Sequence, residues 1–144
     1  MKKLIVIAGL ALALILQYSC NPQSKGFALP QGDIENGKIA FVELLCNHCH
    51  SAGEIEFIGV PEEINLPLGG PVRNIKTYGE LVTSIINPSH KVAPGFKDMI
   101  DTTTGESKMW KYNEVMDVQQ LVDIVTFLQD EYEIAPPPAP YYTY

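Results

Sequence analysis

Apolar residues fall at helical spacing in three separate stretches of this 144-residue chain. The clearest is Leu121, Ile124, Val125, Leu128 and Tyr132, at i, i+3, i+4, i+7 and i+11. It predicts a helix over 118–131. Asp117 is a good N-cap with Gln120 at the reciprocal position, and Met116 can pack on Leu121 as a hydrophobic staple. A second helix is predicted over 78–86, opened by the T-x-x-E box Thr77–Glu80 and closed by Asn87-Pro88. Its buried stripe is Leu81, Val82, Ile85 and Ile86. A third is predicted over 33–45, with Ile34, Phe41, Leu44 and Leu45 on its apolar face. Gly37 lies one turn before Phe41. A mid-helix glycine costs about 1 kcal/mol against alanine, so it points to close helix packing. No stretch reads as a strand. The apolar segment 55–68 is interrupted by Gly59, Pro61 and Pro67 and reads as a loop. The expected fold class is therefore all-α.

The N-terminus follows a different pattern. Lys2-Lys3 precede an uncharged run over 4–16, which is 13 residues long. A membrane-spanning helix needs about 20, so the run reads as the apolar region of an export signal. The run leads to Gln17-Tyr18-Ser19-Cys20, which resembles a bacterial lipoprotein signal, with Cys20 as the lipidated N-terminus. An uncleaved anchor and ordinary cleavage are the alternatives, and all three put the domain outside the cytoplasmic membrane. The organisation read from this is a signal over 1–19, a flexible tether over 20–32, a domain over 33–134 and a Pro/Tyr-rich tail over 135–144. The tail reads as a frayed polyproline-like end, with a docking strap for a partner as the alternative.

Composition narrows the classes. The formal net charge is -7 and no basic stripe is present, which argues against nucleic-acid binding. The 3 cysteines are too few for a disulfide scaffold. Two of them stand in Cys46-Asn47-His48-Cys49-His50, the C-x-x-C-H pattern of covalent c-type haem attachment. Two thiols at this spacing can add to the two vinyl groups of one porphyrin edge, and the next imidazole becomes an axial iron ligand. A thioredoxin-like C-x-x-C would need a βαβ context, and zinc would need a four-ligand set such as Cys46, Cys49, His50 and His90. His48 reads as a solvated side chain and His90 as a loop histidine.

With these residues in place, the chain resembles class I cytochromes c over about 33–132. The carriers are Gly37 and Phe41 ahead of C-x-x-C-H, Gly70-Pro71 after it, and the last helix. The resemblance implies a compact all-α domain of three main helices around one covalent haem c. It implies that the Pro71 carbonyl accepts a hydrogen bond from His50, and that a methionine ahead of the last helix is the second axial ligand. Of Met99, Met109 and Met116, the position of Met109 fits that place best; His90 and an open site are the other options. Trp110 replaces the usual proline after the methionine, and reads either as a contact at the haem edge or propionate or as core packing. The implied function is one-electron transfer between exported or membrane redox proteins, as a carrier rather than an enzyme. The alternatives are a haem subunit of a larger oxidoreductase and an open-site haem enzyme or sensor. Charge is uneven: residues 87–113 carry four lysines and three acids, whereas 31–63 carry seven acids and one lysine.

Overall fold

The computed structural model describes residues 29–60, 64–92 and 95–136. The signal, Cys20 and the tail beyond Pro136 lie outside the described residues. Among the described residues there are three α-helices: α1 (Ile34–Glu43), α2 (Tyr78–Ile86) and α3 (Val118–Asp130). Each starts at a side-chain cap, two of which the sequence already places. The Asp33 side chain accepts from the Asn36 N–H at 2.8 Å. Thr77 with Glu80, and Asp117 with Gln120, form complete capping boxes. Met116 and Leu121 both pack against the core, as the staple requires.

The core is the crossing of α1 over α3. Phe41 and Phe127 are buried there, edge to face, with ring centroids 5.7 Å apart. Burying each ring contributes roughly 1.5–3 kcal/mol, and the aromatic pair about 0.5–1.5 more. Gly37 makes the approach possible: a Cβ there would strike the Asp123 carbonyl and the Phe127 side chain. Asp123 is buried in the crossing, where Oδ1 accepts from the Asp33 N–H and from Gln119 Nε2, both at 2.8 Å. Gln119 also reaches the Gln31 carbonyl at 3.2 Å, and Gly32 lies tightly against Val122 and Thr126. Residues 31 and 32, read as tether, are thus already docked on α3.

The all-α expectation is overturned. Among the described residues, four three-residue strands form two parallel two-stranded sheets, so the fold is mixed α/β. β1 (His50–Ala52) pairs with β2 (Leu66–Leu68), and β3 (Gly70–Val72) pairs with β4 (Tyr132–Ile134). Pro67, which helped to read 55–68 as a loop, sits inside β2, and Pro71 sits inside β3. They are tolerated because every strand of a two-stranded sheet is an edge, so a missing N–H can face away from the partner. Three residues are also too few to show an alternating pattern. After β4, the Ala135 N–H donates to the Val72 carbonyl at 2.9 Å, so the first tail residue continues the pairing. Among the described residues, no helix is long and apolar enough to cross a membrane.

Candidate functional site

The C-x-x-C-H segment leaves α1 through a sharp reversal. Leu45 adopts a left-handed backbone with φ 58, the one non-glycine residue among those described to do so. That conformation costs roughly 1–2 kcal/mol for an L-residue. It ends α1 just before Cys46, and Cys46–His48 follow as a tight 3-10 turn. The Leu45 and Cys46 carbonyls accept from the His48 and Cys49 N–H groups, both at 3.1 Å. Asn47, in the middle of this turn, is buried, and its carbonyl accepts from the Ile58 N–H at 3.0 Å. The 53–60 segment thereby covers the back of the motif. Sequence reading did not single out Asn47.

His50 opens β1, and the pairing register sets Leu66 opposite it. The Leu66 N–H donates to the Cys49 carbonyl at 2.9 Å, and His50 Nδ1 lies 3.0 Å from the Leu66 carbonyl. A carbonyl can only accept, so Nδ1 carries the proton and Nε2 keeps its lone pair. The acceptor expected from the resemblance was Pro71. Pro71 is instead exposed in β3, opposite Glu133, and does not line the cavity described below. The reason is register: the parallel β1–β2 pair brings Leu66 to the imidazole first. Burial holds the His50 imidazole below its usual pKa, the Leu66 bond opposes this, and Lys76 adds to the lowering.

Cys46, Cys49 and His50 all line one half-open cavity of about 400 Å³. Its walls are mostly apolar, including Leu66, Leu68, Leu81, Ile85 and Leu128. Met99 and Met109 line it too, brought there by one hairpin. Ile100 and Ser107 form its antiparallel bridge, and the Lys108 N–H donates to the Met99 carbonyl at 2.8 Å. Asp101 closes the tip by accepting from the Thr103 and Thr104 N–H groups at 2.7 and 3.0 Å. Those two bonds hold its carboxyl below the usual value. Ser89 accepts from the Ser107 N–H at 3.0 Å, tying the hairpin to the segment after α2. Met109, but not Met99, also lines a smaller cavity of about 40 Å³ beside Cys46 and His50. Met116 lines only the smaller one.

Tyr112 follows Met109 by three residues. It is buried, lines both cavities and hydrogen-bonds Cys46 through its hydroxyl. Burial, then the neighbouring Cys46 and Cys49, push its phenol up to about 12. Trp110 is 64% exposed, so core packing is not its role; it lines the cavity mouth and meets Tyr112 edge to face at 5.7 Å. His48 is exposed at the same mouth, and His90 is exposed away from the cavity.

The chemistry of these groups separates the alternatives. Burial pushes the Cys46 thiol up to about 11, opposite to the lowered value that a thioredoxin-type nucleophile requires. The C-x-x-C turn follows a helix and leads into a strand, whereas the thioredoxin context needs it between a strand and the helix that follows. Among the described residues, no three His, Cys, Asp or Glu side chains converge as a metal cluster, so the zinc set with His90 does not assemble. A porphyrin-held iron asks less of the chain: two thiols, one or two axial donors, and an apolar slot of a few hundred Å³. The residues present fit that group. Compared with known proteins, the chain matches no family model, no curated protein and no solved structure.

Proposed function

We propose that the protein is a one-electron carrier that holds a single haem c through Cys46 and Cys49, with His50 and Met109 as axial ligands. The observation that supports this is the convergence of all four side chains on one apolar cavity of about 400 Å³. Bound haem would supply reversible one-electron iron chemistry. The chain's own residues do the rest. Cys46 and Cys49 would hold the group covalently through their sulfurs, and a thioether is easier to bury than a thiolate. His50 offers the Nε2 lone pair, and the Leu66 carbonyl fixes the ring and increases its basicity. The Met109 thioether and the leucine-rich wall both favour the reduced state. Lys76, Lys91 and Lys108 line the cavity and no Asp or Glu does, among the described residues. That lining suits the two carboxylates of a haem.

Export, a lipid anchor on Cys20 and redox proteins as donor and acceptor belong to the same proposal. Expression with a c-type maturation system tests it. The expected product shows sharp α and β bands when reduced and keeps its haem on a denaturing gel. A colourless protein, or haem that separates on the gel, contradicts it.

A further inference from the structure

We infer that Tyr112 is the positioning residue for the second axial donor: its hydroxyl ties the loop carrying Met109 to the Cys46 sulfur and so holds the Met109 thioether in place. This rests on the haem reading above. Trp110 and Lys111, the residues between Met109 and Tyr112, are both exposed, so Tyr112 is where this loop enters the interior. Its carbonyl accepts from the Val115 and Met116 N–H groups at 3.0 and 2.8 Å, which fixes its backbone to the turn ahead of α3. Its hydroxyl reaches Cys46, 66 positions earlier in the chain. The neutral phenol donates and the sulfur accepts. A thiol and a thioether both keep lone pairs on sulfur, so the bond remains available once Cys46 is attached.

A buried tyrosine usually finds some partner for its hydroxyl. The identity of this partner gives the bond a consequence. Cys46, His50, Met109 and Tyr112 all line the cavity of about 40 Å³, which Met99 does not. The upstream end of the loop is held separately. The Ser107 N–H donates to Ser89 Oγ at 3.0 Å, and the Met109 N–H donates to Ser107 Oγ at 3.2 Å. Met109 therefore hangs between two ties. One runs to the segment after α2, the other to a sulfur that attachment would fix to the porphyrin edge. The second tie confines Met109 more closely, because its far end moves with the haem. A donor confined in this way competes at high effective concentration with any ligand from solution. Met99, on the opposite arm of the hairpin, lies outside both ties.

The test titrates the matured, full-length ferric protein with imidazole, which competes with Met109 for the iron. Tyr112→Phe removes the hydroxyl and keeps a ring beside Trp110. It is expected to bind imidazole about tenfold more tightly than wild type, the order of effect that one lost hydrogen bond supplies. Its reduction potential should fall, because a loosely held thioether favours the reduced state less. Ser89→Ala removes the other tie and is expected to act in the same direction but less. Wild-type imidazole affinity and potential in Tyr112→Phe, whatever its melting temperature, would make the hydroxyl a packing detail and overturn the inference. So would a larger effect of Ser89→Ala, because the hairpin would then hold the donor. Wild-type protein lacking c-type bands would defeat the haem reading itself, and the inference with it; that outcome is recorded first. Normal bands with an unchanged Tyr112→Phe defeat the inference alone.

Discussion

The two sides of α3 are built on opposite principles. On one side α1 crosses it with side chains alone: Phe41, Phe127, Val125 and the small Gly37 interlock without room for a further atom. On the other side, the walls formed by Leu128, α2, the C-x-x-C-H turn and the 99–108 hairpin stand apart by about 400 Å³. Leu128 belongs to both, in the core cluster and in the cavity wall. The contrast separates what holds the fold from what the fold holds. The crossing fixes where α1 ends, and so where Cys46 begins; the cavity side supplies donors and shape.

The sharpest way to break that division is at Met109. Met109→Ala is expected to abolish the weak thioether-to-ferric-iron absorption band and let carbon monoxide bind the reduced protein, while Met99→Ala does neither. A band that survives in Met109→Ala and vanishes in Met99→Ala would reassign the ligand across the hairpin. On the crossing side the expected effect is on stability. Phe127→Ala should cost about 3–5 kcal/mol in thermal or denaturant unfolding, because the buried ring leaves a cavity that a helix pair closes poorly. A loss below about 1 kcal/mol would mean that the crossing does not carry the fold.

Gly37→Ala tests the same crossing with the sign reversed. Helix propensity alone favours alanine by about 1 kcal/mol. Steric conflict with Asp123 and Phe127 should instead destabilise by about 1–3 kcal/mol. Stabilisation would show that the helices can part. The smallest effect lies at the edge of the cavity side, in the α2 cap. The Thr77 N–H and hydroxyl hold the Glu80 carboxyl below its ordinary 4.5. A lowered folded-state value contributes stability above the ordinary pKa and loses it as pH falls through the folded value. Glu80→Gln should therefore melt slightly below wild type at neutral pH, and the gap should close in acid.

The two sides also differ in how far they could be read from the chain. The helices and both capping boxes were legible because caps and 3.6-residue stripes are local signals. Gly37 was legible because a glycine inside a helix is conspicuous. That Cys46, Cys49 and His50 share one cavity was legible because they lie within five consecutive residues. The strands were not, since three-residue pairings depend on residues far apart and contain prolines that elsewhere forbid them. For the same reason the His50 acceptor moved from Pro71 to Leu66: register, not composition, chooses the carbonyl. The Tyr112 contact with Cys46 joins residues 66 positions apart, the lysines of the cavity lining come from positions 76, 91 and 108, and only folding brings them together.

The central claim is that the chain carries a covalent haem at two named sulfurs, and intact mass under denaturing conditions tests it most directly. Matured wild-type protein is expected to be heavier than its polypeptide by one haem, with single alanine variants at Cys46 or Cys49 weakened in attachment and the double variant at bare polypeptide mass. A wild-type mass equal to the polypeptide after maturation, or an added mass that persists in the double variant, would contradict the account.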